Sequence, residues 1–420
     1  MIPSRFLPRP PNKLFFHHNV SLTVSVAVGT PLQNVTMVID IGSELSWLHC
    51  TTRNTTTNMV IPDPLFNPTL SSSFTPIPCS SPTCTTRTRD FPIPASCDSN
   101  NHCHATLSYV DASSSEGDLA FENFRFGSGY IRGIVFGCMN SSFSSNVKGD
   151  SNTTGLLGMN LGSLSLVSQL KLPKFSYCIS GYDFSSVLVL GESNISWVGP
   201  FNYTSLVQEQ DRLPYFDRVA YTVQLKGIKV GNNLLNISDT VLVQTMWSGQ
   251  TMFDLGTQFT FLLDPAYSAL REEFINQTNS TLRVLDDPNF VFQMAIDLCY
   301  LIPTNQSLKL LQNLPSVSLV FDGAEFIVRD EQLLYKVSGL RRGNDSVYCF
   351  TFGNSDLLGV EAFIIGHHQK QNMLVEFDLV EYKVGWAKKE TQPHRSWFSG
   401  TTAVVEVGEA ESTAAYFFFL

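Results

Sequence analysis

The sequence predicts an all-β protein made of two related lobes, and three observations support this prediction. Short segments with strand periodicity, separated by Gly, Pro, Asn and Ser, occur along most of the 420 residues. Helical patterns are confined to residues 165–170 and 265–277, the second with Pro at its start. A nine-residue pattern occurs twice, which indicates an internal duplication.

The first predicted elements form a β-hairpin. Residues 21–28 alternate polar and apolar side chains, as a half-buried strand does, and residues 29–31 turn the chain into a second strand over 34–40. Further strands are predicted at 131–138, 186–190, 220–230, 252–254, 316–321, 347–352 and 373–379. Residues 51–101 are rich in Thr, Pro and Ser and are predicted to be loops. This amount of β structure per lobe is typical of barrels or sandwiches.

The duplication has two landmarks in each copy. Residues 40–48 and 254–262 share the order Asp, aliphatic, Gly, hydroxyl, any residue, apolar, hydroxyl, aromatic, Leu. A tetrad ending in Gly follows each copy: Gly158 lies 118 residues after Asp40, and Gly366 lies 112 residues after Asp254. We therefore expect an N-terminal lobe over 19–200 and a C-terminal lobe over 201–390. Residues 1–18 are interpreted as a linker or the remnant of a pro-region, and 391–420 as a disordered tail.

The charge balance excludes some classes of partner. The chain has 27 Lys and Arg against 37 Asp and Glu, a formal charge of −10, and only 15% of its residues are charged. Because nucleic-acid binding needs a basic face, no nucleic-acid partner is expected. No apolar run reaches the ~20 residues of a membrane-spanning helix, so no membrane span is expected.

Glycosylation motifs and cysteines favour the secretory route. Asn-x-Ser/Thr, with x other than Pro, occurs at twelve positions: Asn19, Asn34, Asn54, Asn140, Asn152, Asn194, Asn202, Asn236, Asn276, Asn279, Asn305 and Asn344. The nine cysteines, all disulfide candidates, are Cys50, Cys79, Cys84, Cys97, Cys103, Cys138, Cys178, Cys299 and Cys349. Disulfides imply an oxidising compartment, and the odd number leaves at least one thiol without a partner in the chain. Residues 1–12 lack the apolar region of a signal peptide, so either the chain begins after processing or its gene model is truncated.

Other clusters are interpreted without a metal or cofactor. The cysteines lack the paired Cys-x₂-Cys units of a zinc site, so no metal is expected. His102 and His104 flank a cysteine that is predicted to be in a disulfide, and a metal site there is not favoured. His367 and His368 are expected on the surface or in a loop.

The two Asp turns together can form one catalytic pair, Asp40 and Asp254. Two carboxylates that face each other share one proton, because like charges at that distance cannot both be ionised. One Asp then acts as the base that activates water, and the other protonates the carbonyl oxygen or the leaving nitrogen. The turn residues expected to orient this pair are Gly42, Ser43, Gly256 and Thr257.

These residues resemble the pepsin-like aspartic proteases, and within them the plant nepenthesin-like branch, over residues 21–387. Besides the Asp turns, the resemblance rests on Val28-Gly-Thr-Pro31, Met37-Val-Ile-Asp40, Phe136-Gly-Cys138, Gly155-Leu-Leu-Gly158, Phe175-Ser-Tyr-Cys178, Phe363-Ile-Ile-Gly366 and Val384-Gly-Trp-Ala387. It implies a bilobal pepsin-like fold, with two β-barrel lobes related by a pseudo-twofold axis and few short helices. It also implies that Tyr109 is the flap tyrosine over the substrate and that Trp47 hydrogen-bonds it. No cofactor is expected.

The resemblance also suggests how the cysteines are used. It places the cysteines of residues 79–103 on a plant-specific insertion in the N-terminal lobe. Cys299 and Cys349, the cysteines of the C-terminal lobe, are paired with each other. Pairing of the others is left open, with Cys138 and Cys178 as one guess.

The chain departs from the family at the second position of both Asp turns. The family has Thr or Ser there, and these hydroxyls reach across the pseudo-twofold axis to the opposite loop, whereas this chain has Ile41 and Leu255. Because catalysis depends on geometry held to about 0.5 Å, weak or absent peptidase activity is expected. Val110 and Ala112 replace flap glycines, which should stiffen the flap tip.

The leading hypothesis is an aspartic endopeptidase that acts at acidic pH on a peptide or protein, as a monomer. Its expected location is the secretory pathway: extracellular space or apoplast, endoplasmic reticulum or vacuole. The alternative is a binding or inhibitor protein with the same fold and an impaired pair. A third class, a β-rich carbohydrate-binding protein, leaves the duplicated Asp turn unexplained.

Overall fold

The computed structural model describes residues 20–51, 65–89, 91–109, 113–143, 153–179, 186–192, 199–208, 217–243, 249–329, 332–388 and 403–411. The predictions for residues 1–18, Val110 and Ala112 lie outside the described residues. Within the described part of the chain, no helix combines the length and apolar character needed to cross a membrane.

Strands dominate the described chain. Those of the first half are β1 Val20–Val28, β2 Gln33–Asp40, β3 Trp47–His49, β4 Thr75–Pro76, β5 Ser96–Cys97, β6 Cys103–Ser108, β7 Ser114–Phe126, β8 Gly129–Phe143, β9 Gly155–Gly158, β10 Lys174–Cys178, β11 Ser186–Leu190 and β12 Asn202–Ser205. Those of the second half are β13 Thr222–Val223, β14 Leu225–Val230, β15 Asn233–Leu234, β16 Gln250–Phe253, β17 Thr260–Leu262, β18 Arg283–Val284, β19 Cys299–Pro303, β20 Val317–Phe321, β21 Glu325–Val328, β22 Leu334–Arg342, β23 Asp345–Phe350, β24 Phe352–Asn354, β25 Ala362–Ile365, β26 Met373–Asp378, β27 Lys383–Lys388 and β28 Ala403–Glu411. The prediction of an all-β chain is confirmed.

The helices are short, and local signals explain where the two predicted ones begin. They are α1 Pro82–Thr85, α2 Leu166–Leu170, α3 Asp239–Leu242, α4 Asp264–Thr278 and α5 Ser307–Leu311, with 3₁₀ turns at Pro68–Leu70, Ser355–Leu358 and His368–Lys370. The Ser165 side chain accepts a hydrogen bond from the Ser168 backbone N–H and caps α2. Pro265 lies in the first turn of α4, where its missing N–H costs nothing. Both predicted helices are confirmed within one or two residues.

Two predicted strands are divided in the structure. The segment 220–230 forms β13 and β14, because Gln224 leaves the ladder and its side chain donates to the carbonyl of Leu242 instead. The segment 347–352 breaks at Thr351, whose hydroxyl donates to the carbonyls of Gln332 and Leu333.

The same four-strand arrangement occurs in both halves, as the sequence repeat predicts. In the first, β9 pairs in parallel with β2, with Asp40 opposite Gly158, and antiparallel with β3, which pairs in parallel with β8. In the second, β25 pairs in parallel with β16, with Phe253 opposite Ile365, and antiparallel with β17, which pairs in parallel with β24. The second landmark of each copy is therefore the strand beside the one that ends at the aspartate.

The glycines that end these landmark strands are required by close backbone contacts. A Cβ atom at Gly158 would lie 2.8 Å from the carbonyl carbon of Glu44, and one at Gly366 would lie 2.1 Å from the carbonyl oxygen of Phe259. Both distances are shorter than any real Cβ contact, so the Asp loop of each copy can cross its neighbouring strand only at a glycine.

A large sheet connects the two halves. Its strand order is β12-β27-β26-β10-β11-β28-β1-β2-β9-β3-β8-β7-β6-β5, and β4 pairs with β7. The central link is β10 with β26, where the stacked rings of Phe175 and Phe377 have centroids 4.7 Å apart. Three smaller sheets, with orders β13-β16-β25-β17-β24, β15-β14-β20-β21 and β18-β19-β23-β22, complete the second half.

The prediction that the whole tail lies outside the fold is wrong for residues 403–411. They form β28, which pairs antiparallel with β1 on one side and with β11 on the other. The segment contains three valines in four positions, Val404, Val405 and Val407, and valine favours strands. It covers two strand edges whose backbone groups would otherwise need water.

Four disulfides are present: Cys50–Cys138, Cys79–Cys97, Cys84–Cys103 and Cys299–Cys349. The Cys299–Cys349 pair is confirmed, and the guess of Cys138 with Cys178 is wrong. The parallel pairing of β3 with β8 places Cys50 next to Cys138. The hydrogen bond from the Cys50 N–H to the carbonyl of Met139 continues this pairing beyond β3. Cys178 is buried on β10 and takes part in none of these bonds.

Candidate active site

The two Asp turns have the same hydrogen-bond pattern. In the first, Oδ1 of Asp40 accepts from the Gly42 N–H at 2.8 Å and Oδ2 accepts from the Ser43 hydroxyl. In the second, Oδ1 of Asp254 accepts from the Gly256 N–H at 3.0 Å and Oδ2 accepts from the Thr257 hydroxyl at 2.5 Å. Each carboxylate is thus held in one orientation by its own loop.

The loops bring the two carboxylates together. A Cβ atom placed on Gly42 would lie 3.2 Å from Oδ1 of Asp40 and 3.3 Å from Oδ1 of Asp254, and one on Gly256 would lie 3.2 Å from Oδ1 of Asp40. Burial and the charge of Asp254 raise the pKa of Asp40 to about 7, against the opposing effect of the Ser43 hydrogen bond. Asp40 therefore holds a proton at acidic pH while it faces the second carboxyl group.

Ile41 and Leu255, the aliphatic residues at the second position of the two Asp turns, point into the protein. Ile41 is fully buried and Leu255 is 2% exposed, and both belong to the largest apolar cluster, which also includes Met37 and Phe253. Their side chains bury well but carry no group that could bond to the opposite loop. The sequence change is therefore accommodated by packing rather than by a replacement hydrogen bond.

The predicted flap residues meet. Tyr109 follows β6 at the end of the β6–β7 hairpin, where its N–H donates to the carbonyl of Ser113 at 3.0 Å. Its hydroxyl accepts a hydrogen bond from Nε1 of Trp47 at 2.6 Å. Trp47 begins β3 seven residues after Asp40, so the Asp loop and the hairpin are joined by one side-chain bond.

A lysine that the sequence reasoning missed lies behind the second turn. Lys370 is fully buried, and its Nζ donates to the backbone carbonyls of Asp254 and Ile365 at 2.7 and 2.9 Å. Its position four residues after the Gly366 landmark was the available signal, because that landmark strand lies beside the strand ending at Asp254.

His367 and His368 lie in the connection between β25 and β26, as the loop alternative expected, but the surface alternative is wrong for His367. His367 is 2% exposed, and the His368 ring packs edge-on against Phe259 and Tyr335. Burial lowers the pKa of His368 to about 4. The adjoining β25 and β26 place this segment inside the C-terminal half rather than on its surface.

One group of side chains, formed by the cysteine-rich insertion and β7, has ligand atoms close together. Single ligand atoms of Asp98, His102 and Asp118 lie within 4.8 Å of one another. Oδ1 of Asp118 accepts a hydrogen bond from Nδ1 of His104 at 2.9 Å, and Asp98 accepts from backbone N–H groups of its own turn, including that of His102 at 2.6 Å. These hydrogen bonds already engage both carboxylates of the cluster.

Chemically, the site offers a proton donor and a proton acceptor that face each other. The Asp40 carboxyl, which keeps its proton at acidic pH, can donate it to an oxygen or nitrogen atom. The Asp254 carboxylate can accept a proton from water. An acid and a base that face each other are the two groups needed to add water to a carbonyl group.

Comparisons with known proteins agree with this geometry. One family model, described as xylanase inhibitor N-terminal, matches residues 22–192, and a second, described as xylanase inhibitor C-terminal, matches residues 220–388. Aspartic proteinase PCS1 of Arabidopsis thaliana is 60% identical over 388 residues, which cover 91% of this chain and 84% of that protein. Aspartic proteinase nepenthesin-1 of Nepenthes gracilis is 34% identical over 373 residues, which cover 87% of this chain and 77% of that protein.

The fold is also found among solved structures. The crystal structure of basic 7S globulin from soybean matches with a TM-score of 0.64 and 18% identity, covering 91% of this chain and all of that chain (100%). At this level of identity the similarity concerns the fold alone.

Proposed function

The chain belongs to the plant nepenthesin-like branch of the pepsin-like aspartic proteases, and from this premise we propose that Asp40 and Asp254 make it an acid endopeptidase. The observation that carries the proposal is the mirrored geometry of the two carboxylates, each held by its own glycine N–H and hydroxyl. The substrate is a peptide or protein segment bound beneath the Tyr109 flap.

The proposed reaction adds water to the scissile carbonyl group. Asp254 removes a proton from the water molecule as its oxygen attacks the carbonyl carbon, and Asp40 transfers its proton to the carbonyl oxygen. In the collapse of the resulting tetrahedral diol, the amide nitrogen takes up the proton that Asp254 received from water, Asp40 recovers a proton from a hydroxyl of the diol, and the C–N bond breaks to release a carboxylic acid and an amine. Gly42, Ser43, Gly256 and Thr257 orient the two carboxylates throughout.

The direct test is cleavage of a quenched peptide library between pH 3 and 6. Asp40→Asn and Asp254→Asn should each lower kcat at least about 10³-fold, since neither amide can exchange the required proton. Asp322→Asn, at an exposed position, is the matched control and should behave as the parent. Cleavage that persists in both aspartate variants would assign the activity to another site or to a contaminant.

The second candidate, a binding or inhibitor protein on the same fold, is favoured by Ile41 and Leu255. Titration with a statine-type transition-state mimic separates the two functions. An intact pair binds the mimic tightly at acidic pH and releases it in Asp40→Asn, whereas a misaligned pair does not bind it. Tight mimic binding without peptide cleavage would indicate that the pair is intact and that the peptide library lacks a suitable substrate.

We further propose that the protein is glycosylated and passes through the secretory pathway as a monomer. The eight Asn-x-Ser/Thr asparagines in the described chain, at Asn34, Asn140, Asn202, Asn236, Asn276, Asn279, Asn305 and Asn344, are all exposed. Four disulfides support an oxidising compartment such as the extracellular space or vacuole. Protein isolated from the plant should lose mass on treatment with a peptide N-glycosidase; an unchanged mass would refute glycosylation.

A further inference from the structure

Lys370 is a buried cation that the reaction above does not use. It ends the 3₁₀ turn His368–Lys370, which follows β25. Its Nζ is bound by the carbonyl oxygens of Asp254 and Ile365 and lies 5.1 Å from the centroid of the Phe253 ring. Phe253 and Ile365 are directly opposite each other in the parallel pair of β16 and β25. One ammonium group therefore joins the ends of the two strands that build the second Asp turn.

The acidic groups of the neighbouring strand have other cationic partners. On β26, which follows the 3₁₀ turn, Glu376 and Asp378 both lie within 3.4 Å of Nζ of Lys174. Burial lowers the pKa of His368, on the same turn as Lys370, to about 4, so His368 is neutral through most of the acidic range.

Two further titratable groups, Asp40 and Tyr177, interact with Asp254. Asp40 holds its proton at acidic pH, because burial and the charge of Asp254 raise its pKa to about 7. Burial and the charge of Asp254 raise the pKa of the Tyr177 hydroxyl on β10 well above its usual value. The negative charge of Asp254 raises the pKa of Lys370 and so partly offsets the lowering of that pKa by burial.

A buried ammonium group is costly unless its charge and its three donors are satisfied. Here two carbonyl oxygens accept hydrogen bonds from the ammonium group. The face of the Phe253 ring and the negative charge of Asp254 stabilise its positive charge. Burial lowers the pKa of Lys370 to about 7 even so. The lysine is therefore protonated between pH 3 and 6, where peptide cleavage is proposed.

We propose that Lys370 is a positioning residue for the aspartate pair: its ammonium group ties the backbone of Asp254 to the neighbouring strand and places a positive charge beside the second Asp turn. This inference rests on the proposed function, because the position of Asp254 matters only if the pair is catalytic. It assigns to one lysine, inside the C-terminal half, part of the restraint that the absent hydroxyls at positions 41 and 255 would supply.

The charge of Lys370 determines the direction of a pH shift. An active pair holds one proton, and activity is lost at low pH when the second carboxyl group becomes protonated. A nearby cation opposes that protonation, so it extends activity to lower pH. Near pH 7 the lysine loses its own proton, so its influence on the alkaline limb is smaller. Removing the charge should therefore shift the acidic limb of the pH–activity profile to higher pH, and should shift the alkaline limb less.

The experiment compares Lys370→Gln, which keeps hydrogen-bond donors without the charge, with Lys370→Met, which keeps the length without either. In Lys370→Gln we expect the acidic limb of the kcat profile to rise by about 0.5–1 pH unit, with KM changed less than about twofold. In Lys370→Met we expect the same shift and a further fall in kcat of roughly tenfold at the optimum. Lys336→Met, at an exposed position on β22, is the control and should leave both limbs unchanged.

A Lys370→Gln variant with parental pH limbs and parental kcat would overturn the proposal, since a purely packing role leaves the pH profile in place. Circular dichroism and thermal unfolding show whether each variant is folded. If Lys370→Met does not fold, the Gln variant alone decides the outcome.

A second measurement does not depend on cleavage. Unfolding free energies at pH 5 are measured for the parent, Lys370→Gln, Asp254→Asn and the double variant. Non-additive effects of the two substitutions on the unfolding free energy support the charge interaction, and additive effects refute it. If coupling is found but the parent neither cleaves peptides nor binds the transition-state mimic, the proposed function fails while the lysine–aspartate interaction stands.

Discussion

Each carboxylate of the pair receives its described hydrogen bonds from its own turn, through Gly42 and Ser43 in one case and Gly256 and Thr257 in the other. These bonds fix the orientation of each carboxylate but not the distance between the two. That distance depends on how the lobes pack, because Ile41 and Leu255 contribute apolar contacts where the family has cross-loop hydroxyls. The first prediction follows from this difference.

Restoring both hydroxyls, with Ile41→Thr and Leu255→Ser, should raise kcat by about tenfold or more, equivalent to ~1.4 kcal/mol of the activation barrier. The same change removes buried apolar groups and should lower the unfolding free energy by roughly 1–4 kcal/mol. Both quantities are measured on the parent and the double variant, by acid proteolysis and by denaturant titration. A parent that is already as active as the double variant would show that packing alone sets the separation of the aspartates.

The Trp47–Tyr109 bond gives a second prediction at the scale of single residues. Trp47→Phe and Tyr109→Phe should each lower kcat/KM by about 2–10-fold, because a net hydrogen bond is worth ~0.5–1.5 kcal/mol. The double variant should be no worse than the poorer single variant, since both changes remove one shared bond. Tyr130→Phe, at a tyrosine that is 46% exposed, serves as the control. Additive losses in the double variant would mean that the two side chains act separately.

At the scale of elements, β28 gives a third prediction. It pairs with β1 and β11, so a chain ending at residue 402 leaves two strand edges exposed. That truncation should lower Tm by several degrees, roughly 4 °C or more, and promote aggregation, whereas a chain ending at residue 411 keeps the strand and should match the parent. Scanning calorimetry and light scattering on the two truncations test this. Equal Tm values would show that the strand does not contribute to stability.

The elements nearest the site were the most predictable from sequence. The Asp turns, the strands that lead into them, α2 and α4 all have local signals: an alternating or apolar run, a turn glycine or a capping residue. The tetrads ending at Gly158 and Gly366 were recognised as landmarks of the repeat but were not predicted to be strands. The β28 strand was missed because low-complexity composition outweighed its valines, and its partners β1 and β11 are distant in sequence. Cys178 was guessed as a partner of Cys138 because a sequence does not show which strands are adjacent, and β3 rather than β10 lies beside β8.

The burial of His367 and Lys370 was missed for the same reason. Polar residues in a short segment between strands are usually exposed, and only the packing of β25 and β26 places this one inside the protein. A buried charge becomes interpretable only when its partners are known, and here the partners are backbone carbonyls that carry no sequence signal.

For the whole molecule, the raised pKa of Asp40 links folding to pH. Its pKa rises from 3.8 in the unfolded chain to about 7 in the fold, so the folded state retains a proton that the unfolded state releases. The resulting stability is fully present below pH 3.8 and is lost as pH rises through about 7.

The parent should therefore have a Tm lower at pH 7 than at pH 4.5 by roughly 3–6 °C, and Asp40→Asn should remove most of that difference. Thermal unfolding across pH 4–8 at constant ionic strength measures both chains. An equal slope in the parent and in Asp40→Asn would assign the pH dependence to other groups.

The parallel pairing of each Asp strand with its landmark strand has a consequence for the timing of synthesis. The surroundings of Asp254 are complete only when β25, which contains Ile365, has paired with β16. Lys370, which binds the carbonyls of Asp254 and Ile365, is translated after both strands. A ribosome must therefore translate past Lys370 before the pair can assemble with all of these contacts, and contacts between residues more than 100 positions apart form slowly. Until Lys370 has been translated, the nascent protein lacks the complete aspartate pair, so the proposed cleavage cannot begin.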